Sequence, residues 1–389
     1  MLKSERIEEL ADVLAGNVRG WERGVIERIA KRVKMIGELS PADVKALNNA
    51  ADIKGDLNAI LKELAAMTGH NISELKDMYG AALDEINKAN MPLYDYRGKT
   101  FLPLADNVPL QSMIFAYAKA SGETMLNLSK TSTLCTTDAN GNIVSLNKAY
   151  HDIIDKAIMQ VTSGSGDFHT AMRESIKALG GGGIRVNYGS GITRRLDTVV
   201  RQNLMWGAKQ ASIEYNKAIG EELECDGIEI DWHSNPRPSH EFMQGKQFHV
   251  GGTVRINGVI YPDSTEAEER LQDYNCYHYA TPIICGVSEP AYSKEELARL
   301  NAENAKKYTV RGKTQKGYAW SQDMRKLEAY YRTQQDIKAA AKASGDRELA
   351  RQCDIKINAT LARYKEISDA TGIPMDYKRL ASVQRKNKR

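Results

Sequence analysis

At 389 residues, with 42% hydrophobic and 27% charged side chains, the chain is long enough for two or three globular domains and is neither disordered nor fibrous. Its net charge of +4 is unevenly spread: residues 291–389 carry +11, leaving −7 for residues 1–290, which points the C-terminal end toward nucleic acid or an acidic partner surface. No apolar run approaches the roughly 18 residues that span a bilayer. Met1-Leu2-Lys3-Ser4-Glu5-Arg6 lacks the apolar core of a secretory signal, and the five scattered cysteines form no disulfide framework. Synthesis in a reducing cytoplasm and no membrane partner are expected.

Residues 1–90 read as a module of short amphipathic helices. Trp21, Val25, Ile29, Val33 and Ile36 recur at helical spacing; Ser40-Pro41-Ala42-Asp43 and Asn71-Ile72-Ser73-Glu74 are helix starts, and Thr68-Gly69 is a helix end. Residues 91–182 read as a linker and helices. Prolines 92, 103 and 109 interrupt the pattern, helices resume near Gln111 and over Leu146–Val161, and Asp138-Ala139-Asn140-Gly141-Asn142 is a turn. Ser163-Gly164-Ser165-Gly166-Asp167 is a loop. A helix from Phe168 runs into Gly180-Gly181-Gly182-Gly183, read as a flexible helix end because no phosphate-binding glycine order surrounds it. No internal repeat of fixed period is visible.

Residues 183–290 carry strand, turn and clustered polar chemistry together. Ile184–Tyr188 alternates as a strand, and a long helix is expected to begin at Thr193, with Leu196, Val200, Leu204, Ala208, Ala211 and Tyr215 on its inner face. Gly227–His233 alternates strictly, Lys246-Gln247-Phe248 opens a second extended piece, and Asn257-Gly258 between apolar pairs is a hairpin signal. Residues 291–389 read as a helical hairpin turning at Ala343-Ser344-Gly345-Asp346, closed by Gly372-Ile373-Pro374 and followed by a basic tail. The fold class is therefore α+β and predominantly helical. A small, mainly antiparallel sheet packs on a long helix, with helical regions on either side.

The chemistry centres on Asp231-Trp232-His233-Ser234-Asn235-Pro236-Arg237-Pro238-Ser239-His240 and on Asn275-Cys276-Tyr277-His278. His233, His240, Cys276 and His278 are the candidate metal ligands, since two N/S pairs on separate segments could make a tetrahedral site. Their spacing is not that of a zinc finger, so no metal or cofactor is expected and the imidazoles are read as pinning an irregular turn. Cys276 as nucleophile with His240 as base is the enzyme alternative. A Ser239/His240 hydrolase lacks a nucleophile elbow. Glu221/Glu222 and Glu266/Glu268/Glu269 read as solvated helix faces. Lys378, Arg379, Arg385, Lys386, Lys388 and Arg389 could neutralise phosphates without reading sequence, which is a DNA-binding alternative.

The order of these residues is itself informative. Arg195-Leu196-Asp197-Thr198-Val199-Val200-Arg201-Gln202, Cys225-Asp226-Gly227-Ile228-Glu229-Ile230, Arg237-Pro238-Ser239-His240 with Gln244-Gly245-Lys246, Tyr274-Asn275-Cys276 and Gly286-Val287-Ser288 together resemble the tailed-phage minor capsid protein 2 family, related to the MuF-like head-morphogenesis proteins. The resemblance runs over nearly the whole chain. It departs at Met243, where the family commonly has tryptophan, and at Tyr277-His278, where Arg-His or Arg-Cys is common; both weaken any carry-over of metal or catalytic roles. The resemblance implies a MuF-like core at 183–290 in a virion component. That component would be a non-enzymatic minor head protein, made in the host cytoplasm and incorporated into the procapsid near the portal vertex. The portal protein is the implied partner, with major capsid or scaffolding protein and packaged DNA as further candidates. Trp232, His233, Arg237, Pro238, Ser239, His240, Gln244, Gly245, Lys246, Asn275, Cys276 and His278 would then form the core's polar knot.

Overall fold

The computed structural model describes residues 5–40, 72–128, 134–163, 168–273 and 275–380, apart from positions 139 and 189, together with a few isolated positions between 43 and 66. The expected helix boundaries at 41–42 and 68–71, the loop at 164–167, Tyr274 and the tail residues Arg385, Lys386, Lys388 and Arg389 lie outside the described residues.

The N-terminal stripe forms one continuous helix, α1 (Glu5–Gly37), rather than several short ones. Trp21, Val25, Ile29, Val33 and Ile36 are all buried on a single face, and no proline interrupts them. Next come α2 (Ile72–Ala89), a short helix α3 (Met91–Arg97) where an irregular linker was expected, and α4 (Val108–Leu128). Pro92 does not break α3 because it sits in the first turn, where its missing N–H has no helical partner to lose.

Two units then succeed each other with the same plan. Strand β1 (Leu134–Thr137) turns into β2 (Ile143–Ser145), which runs directly into helix α5 (Leu146–Ser163). After α6 (Phe168–Gly182), β3 (Arg185–Asn187) turns into β4 (Thr193–Arg195), which runs directly into the long helix α7 (Leu196–Glu222). Thr193 thus starts a strand, and the helix begins three residues later than its apolar periodicity suggested. Both turns carry a positive-φ glycine, Gly141 and Gly191, and close with matching bonds: Asp138 N–H to Asn142 O and Tyr188 N–H to Ile192 O. The four strands form one antiparallel sheet in the order β2-β1-β3-β4, whose centre pairs Cys135 with Arg185. Equivalent residues stand fifty positions apart, so that central pair is a residue facing its own counterpart. The chain therefore contains an internal repeat related by a pseudo-twofold axis through the sheet. What the two copies share is burial, Ala149 with Val199, Tyr150 with Val200 and Ile154 with Leu204, and hardly any residue identity.

The glycine run before β3 is not a flexible end. A Cβ on Gly180 would come within 2.9 Å of the backbone of Ile337, so the residue permits two helices to touch. Gly183 reverses the chain at φ +62.

Beyond α7 the chain builds a second sheet, β6-β5-β9, from β5 (Gly227–Ile230), β6 (Gln247–His249) and β9 (Ala280–Ile283). It also forms the hairpin of β7 (Val254–Ile256) and β8 (Val259–Tyr261), turned by Asn257 and Gly258 with φ of 49° and 80°. Helix α8 (Thr265–Leu271) closes this part. Ile230, Met243, Phe248, Ala267, Leu271 and Cys276 make its core, and Met243 occupies a fully buried position. The C-terminal region adds α9 (Lys294–Ala305), then an unexpected hairpin of β10 (Lys307–Val310) and β11 (Lys313–Lys316). The antiparallel helices α10 (Gly317–Ser344) and α11 (Arg347–Thr371) come next, then α12 (Tyr377–Leu380). Gly345 ends α10 in the left-handed conformation, Asp346 caps α11 by accepting from Leu349 N–H, and Gly372 ends α11. The described residues are predominantly helical with small antiparallel sheets, as the patterning led one to expect.

One apolar core joins residues from Ala11 to Cys353 across α1, α2, α4, α5, α6, α7, α10 and α11. At its centre lies a network of buried charge. Arg195 reaches Glu22 at 2.9 Å and Asp336 at 2.6 Å, Arg23 reaches Asp336 at 3.3 Å, and Asp197 receives Arg19 at 3.4 Å and Arg332 at 3.5 Å. Arg19 and Arg332 also donate to the carbonyls of Lys378 and Arg379, which ties α12 to the same network.

Candidate functional site

The residues singled out in the sequence converge on the rim and interior of the β6-β5-β9 sheet. Strand β5 ends at Ile230, and Asp231 organises the irregular segment that leaves it. The Asp231 backbone pairs with Tyr279 and Gly245, one carboxylate oxygen accepts from Tyr279 N–H at 2.8 Å, and the other lies 2.9 Å from His233 Nε2. Pro238 opens a single 3-10 turn, Pro238–His240, that carries the His240 ring inward while Ser239 stays exposed. Gln244 is buried and its Oε1 accepts from His233 N–H at 2.8 Å and meets His278 Nε2 at 3.1 Å. Gly245 adopts φ +64 and lies against Leu297 and Tyr292, where a side chain would collide.

His240, Cys276 and His278 are 2%, 5% and 3% exposed, and a ring nitrogen of each histidine and Cys276 Sγ all lie within 4.8 Å of one another. His240 Nε2 is 2.9 Å from Asp273 Oδ2, His278 Nδ1 is 3.7 Å from Cys276 Sγ, and the His278 ring stands edge-on to both His233 and His240. Lys209, a buried lysine on α7, donates to Cys276 O at 3.0 Å.

Other expected members sit at the edge. Trp232 Nε1 donates to Asn301 on α9, and Arg237 lies 3.5 Å from Asp273. Lys246 contributes its backbone to Ile230 and Met243 and leaves its side chain in solvent. Asn275 takes φ +59 at the bend before Cys276. In the C-terminal basic group, Arg379 pairs with Asp376 at 2.8 Å and approaches Glu328 at 3.9 Å, so its charge is balanced within the fold. Asp273 and Lys209 were not separable in the sequence, and Asp231 carried a signal only as the residue at which the strand ends.

The environment separates the three titratable rings. Burial pushes the His278 imidazole down, and the neighbouring His233, His240 and Lys209 push it further, to about 2, which keeps it neutral. Burial also opposes charge on His240 and His233, but Cys276 and Asp273 on the one, and Asp231 on the other, outweigh it and raise both. Burial would raise the Cys276 thiol; His240 and Lys209 outweigh that and lower it. Asp273 is lowered, chiefly by its bond to His240. A thiol, an imidazole and a carboxylate thus stand in a row, with a second, neutral imidazole facing the same sulfur. Such a set either activates a thiolate or ligates a cation.

A sequence model of the family described as phage minor capsid protein 2 matches residues 2–367. The chain belongs to the phage minor capsid protein 2 family. No match was found among curated proteins or among solved structures. As a minor capsid protein it is a structural protein of the phage head and a component of the virion, where it meets other virion components. No helix among the described residues is long and apolar enough to cross a membrane. The departure of this family member at Met243 has a physical reading: the position is wholly buried beside Phe248 and Cys276, and a flexible thioether fills such a space readily.

Proposed function

We propose that this minor capsid protein acts at the portal vertex, entering the procapsid by binding the portal protein, and that it works as a structural part and not as a catalyst. The match over residues 2–367 carries the reading. The burial of His240 and Cys276 supports the absence of catalysis, since the cleft beside Cys276, lined by Gln202, Lys209, Asn275 and Tyr277 among others, measures about 20 Å³. That space suits a water molecule and no substrate. In this reading the segments 1–90, 91–182, 183–290 and 291–389 remain a docking module, a connector, the MuF-like core and a helical end. The polar knot from Trp232 to His278 fixes the core's fold. Packaged DNA is met without sequence readout through the basic end, by Lys378, Arg385, Lys386, Lys388 and Arg389, while Arg379 is taken up by Asp376.

The test is co-purification of the tagged chain with the portal protein, with and without residues 378–389. Association that survives the deletion is expected. Failure to bind portal, together with salt-sensitive DNA binding that needs the tail, would replace this reading with a DNA-associated one.

A further inference from the structure

We propose that His240, Cys276 and His278 form a zinc site, with the Cys276 thiolate and the inner ring nitrogens of the two histidines as its three protein donors. The inference goes beyond the head-protein role and does not depend on portal binding.

The hydrogen bonds fix the tautomers. His233 N–H is a backbone group and can only donate, so the Gln244 oxygen that it meets at 2.8 Å is an acceptor. The same oxygen faces His278 Nε2 at 3.1 Å, so that nitrogen must carry the proton. In the neutral ring Nδ1 is then left with its lone pair, and Nδ1 is the atom that faces Cys276 Sγ at 3.7 Å. Two ligands on tetrahedral zinc, with Zn–S about 2.3 Å and Zn–N about 2.0–2.1 Å, stand about 3.6 Å apart. His240 is prepared in the same way: Asp273 takes its Nε2 at 2.9 Å, which leaves the other nitrogen for the shared centre. A carboxylate or amide oxygen behind each ligating imidazole is the usual outer support of a metal-bound histidine.

Charge and donor type agree. Asp231 and Asp273 lie behind the cluster and, with the thiolate, set negative charge around the centre, opposed by Lys209 and by Arg237 beside Asp273. One sulfur and two imidazoles select a borderline-soft ion over magnesium or calcium, which require oxygen. The donors come from two places, the 3-10 turn at Pro238–His240 and the segment 276–278, which the ion would clamp together.

The experiment uses the full chain without a histidine tag. It is stripped with chelator, dialysed against micromolar zinc and analysed for metal, and a parallel sample is loaded with cobalt. Expected are one equivalent of zinc per chain, a higher melting temperature in the loaded than in the stripped protein, and thiolate-to-cobalt charge-transfer absorption. Cys276→Ser should abolish that absorption, while Cys285→Ser, at a buried thiol in a separate cluster, should keep it. Failure to take up zinc, a bound ion with no thiolate absorption in the wild-type chain, or absorption that persists in Cys276→Ser would each overturn the proposal. The wild-type measurements decide the matter even if Cys276→Ser does not fold.

Discussion

Arg195 and His240 are both buried where segments distant in the sequence meet, but their surroundings are built on different principles. Around Arg195 every cation faces a carboxylate. Arg19, Arg23, Arg195 and Arg332 are interleaved with Glu22, Asp197 and Asp336, and the partners come from α1, α7, α10 and the end of β4. Around His240 the polar atoms converge on one another, and the acceptors Asp273 and Gln244 stand on the outside. The first arrangement is closed, since each carboxylate is already taken up by an arginine, Glu22 by Arg195 alone and Asp336 and Asp197 by more than one. The second has a centre, and a centre can hold something. A buried ion network locks helices in register, whereas a ring of inward lone pairs is preparation for a ligand.

The sharpest way to break the comparison is Arg195→Ala. It would leave Glu22 without its arginine in a dry interior, while Asp336 keeps Arg23 and Asp197 keeps Arg19 and Arg332, and one lost partner of a buried pair costs about 3–5 kcal/mol. With total stability of roughly 5–15 kcal/mol for a folded domain, urea unfolding should show a midpoint shift visible without fitting. A shift below about 1 kcal/mol would mean that water reaches the network and that it is not closed.

The same network should set the pH dependence. Burial, and then Asp336 and Asp197, oppose charge on Glu22 more strongly than Arg195 favours it, so its carboxyl rises from 4.5 to about 7. Between those values the folded chain holds a proton that the unfolded chain has released, and Glu22's contribution is therefore complete below about 4.5 and lost as the pH climbs to about 7. Asp197 runs the other way: burial would raise it, but Arg332, Arg195 and Arg19 lower it, so its contribution is lost only as the pH falls below the ordinary carboxylate range. Melting temperatures of Glu22→Gln and wild type across pH 4.5–7.5 should differ in slope, with the wild type falling more steeply. Parallel curves would place the titration elsewhere.

In the His/Cys region the corresponding test is Gln244→Ala. It orphans His233 N–H and His278 Nε2–H in a buried space, at about 1–3 kcal/mol for each donor that no water reaches. If the region is prepared as a site, the same variant should also weaken zinc retention during dialysis by 10-fold or more, as loss of an outer support generally does. Stability loss with unchanged zinc retention would make Gln244 a packing residue only.

The sequence displayed those parts of the fold whose signals are local. Asn257-Gly258 specifies its hairpin, Gly345-Asp346 its helix break and cap, and Gly227–Ile230 its strand, each by residues that only a few conformations accept. The duplicated strand-turn-strand-helix unit stayed hidden because strands of three or four residues have no measurable period, and its copies share burial and scarcely any letters. Thr193–Arg195 looked helical because β4 passes into α7 with no capping side chain to mark the change. The same contrast holds in the site. Histidine and cysteine are rare enough to be seen as a cluster, while Asp273 and Lys209 look like ordinary solvated charges until the chain folds them against Cys276 and His240.

The smallest effect is expected at the edge of the His/Cys region. Lys316 on β11 reaches Glu241, next to His240, at 2.9 Å, with both side chains 39% exposed. An ion pair in that position contributes on the order of 0–1 kcal/mol and fades as salt shortens the screening length to about 10 Å at 0.1 M. Lys316→Met should leave the melting temperature and zinc retention within experimental scatter at about 0.3 M salt. A loss as large as that of Gln244→Ala would mean that the C-terminal hairpin, and not the interior of the β6-β5-β9 sheet, holds the turn that carries His240.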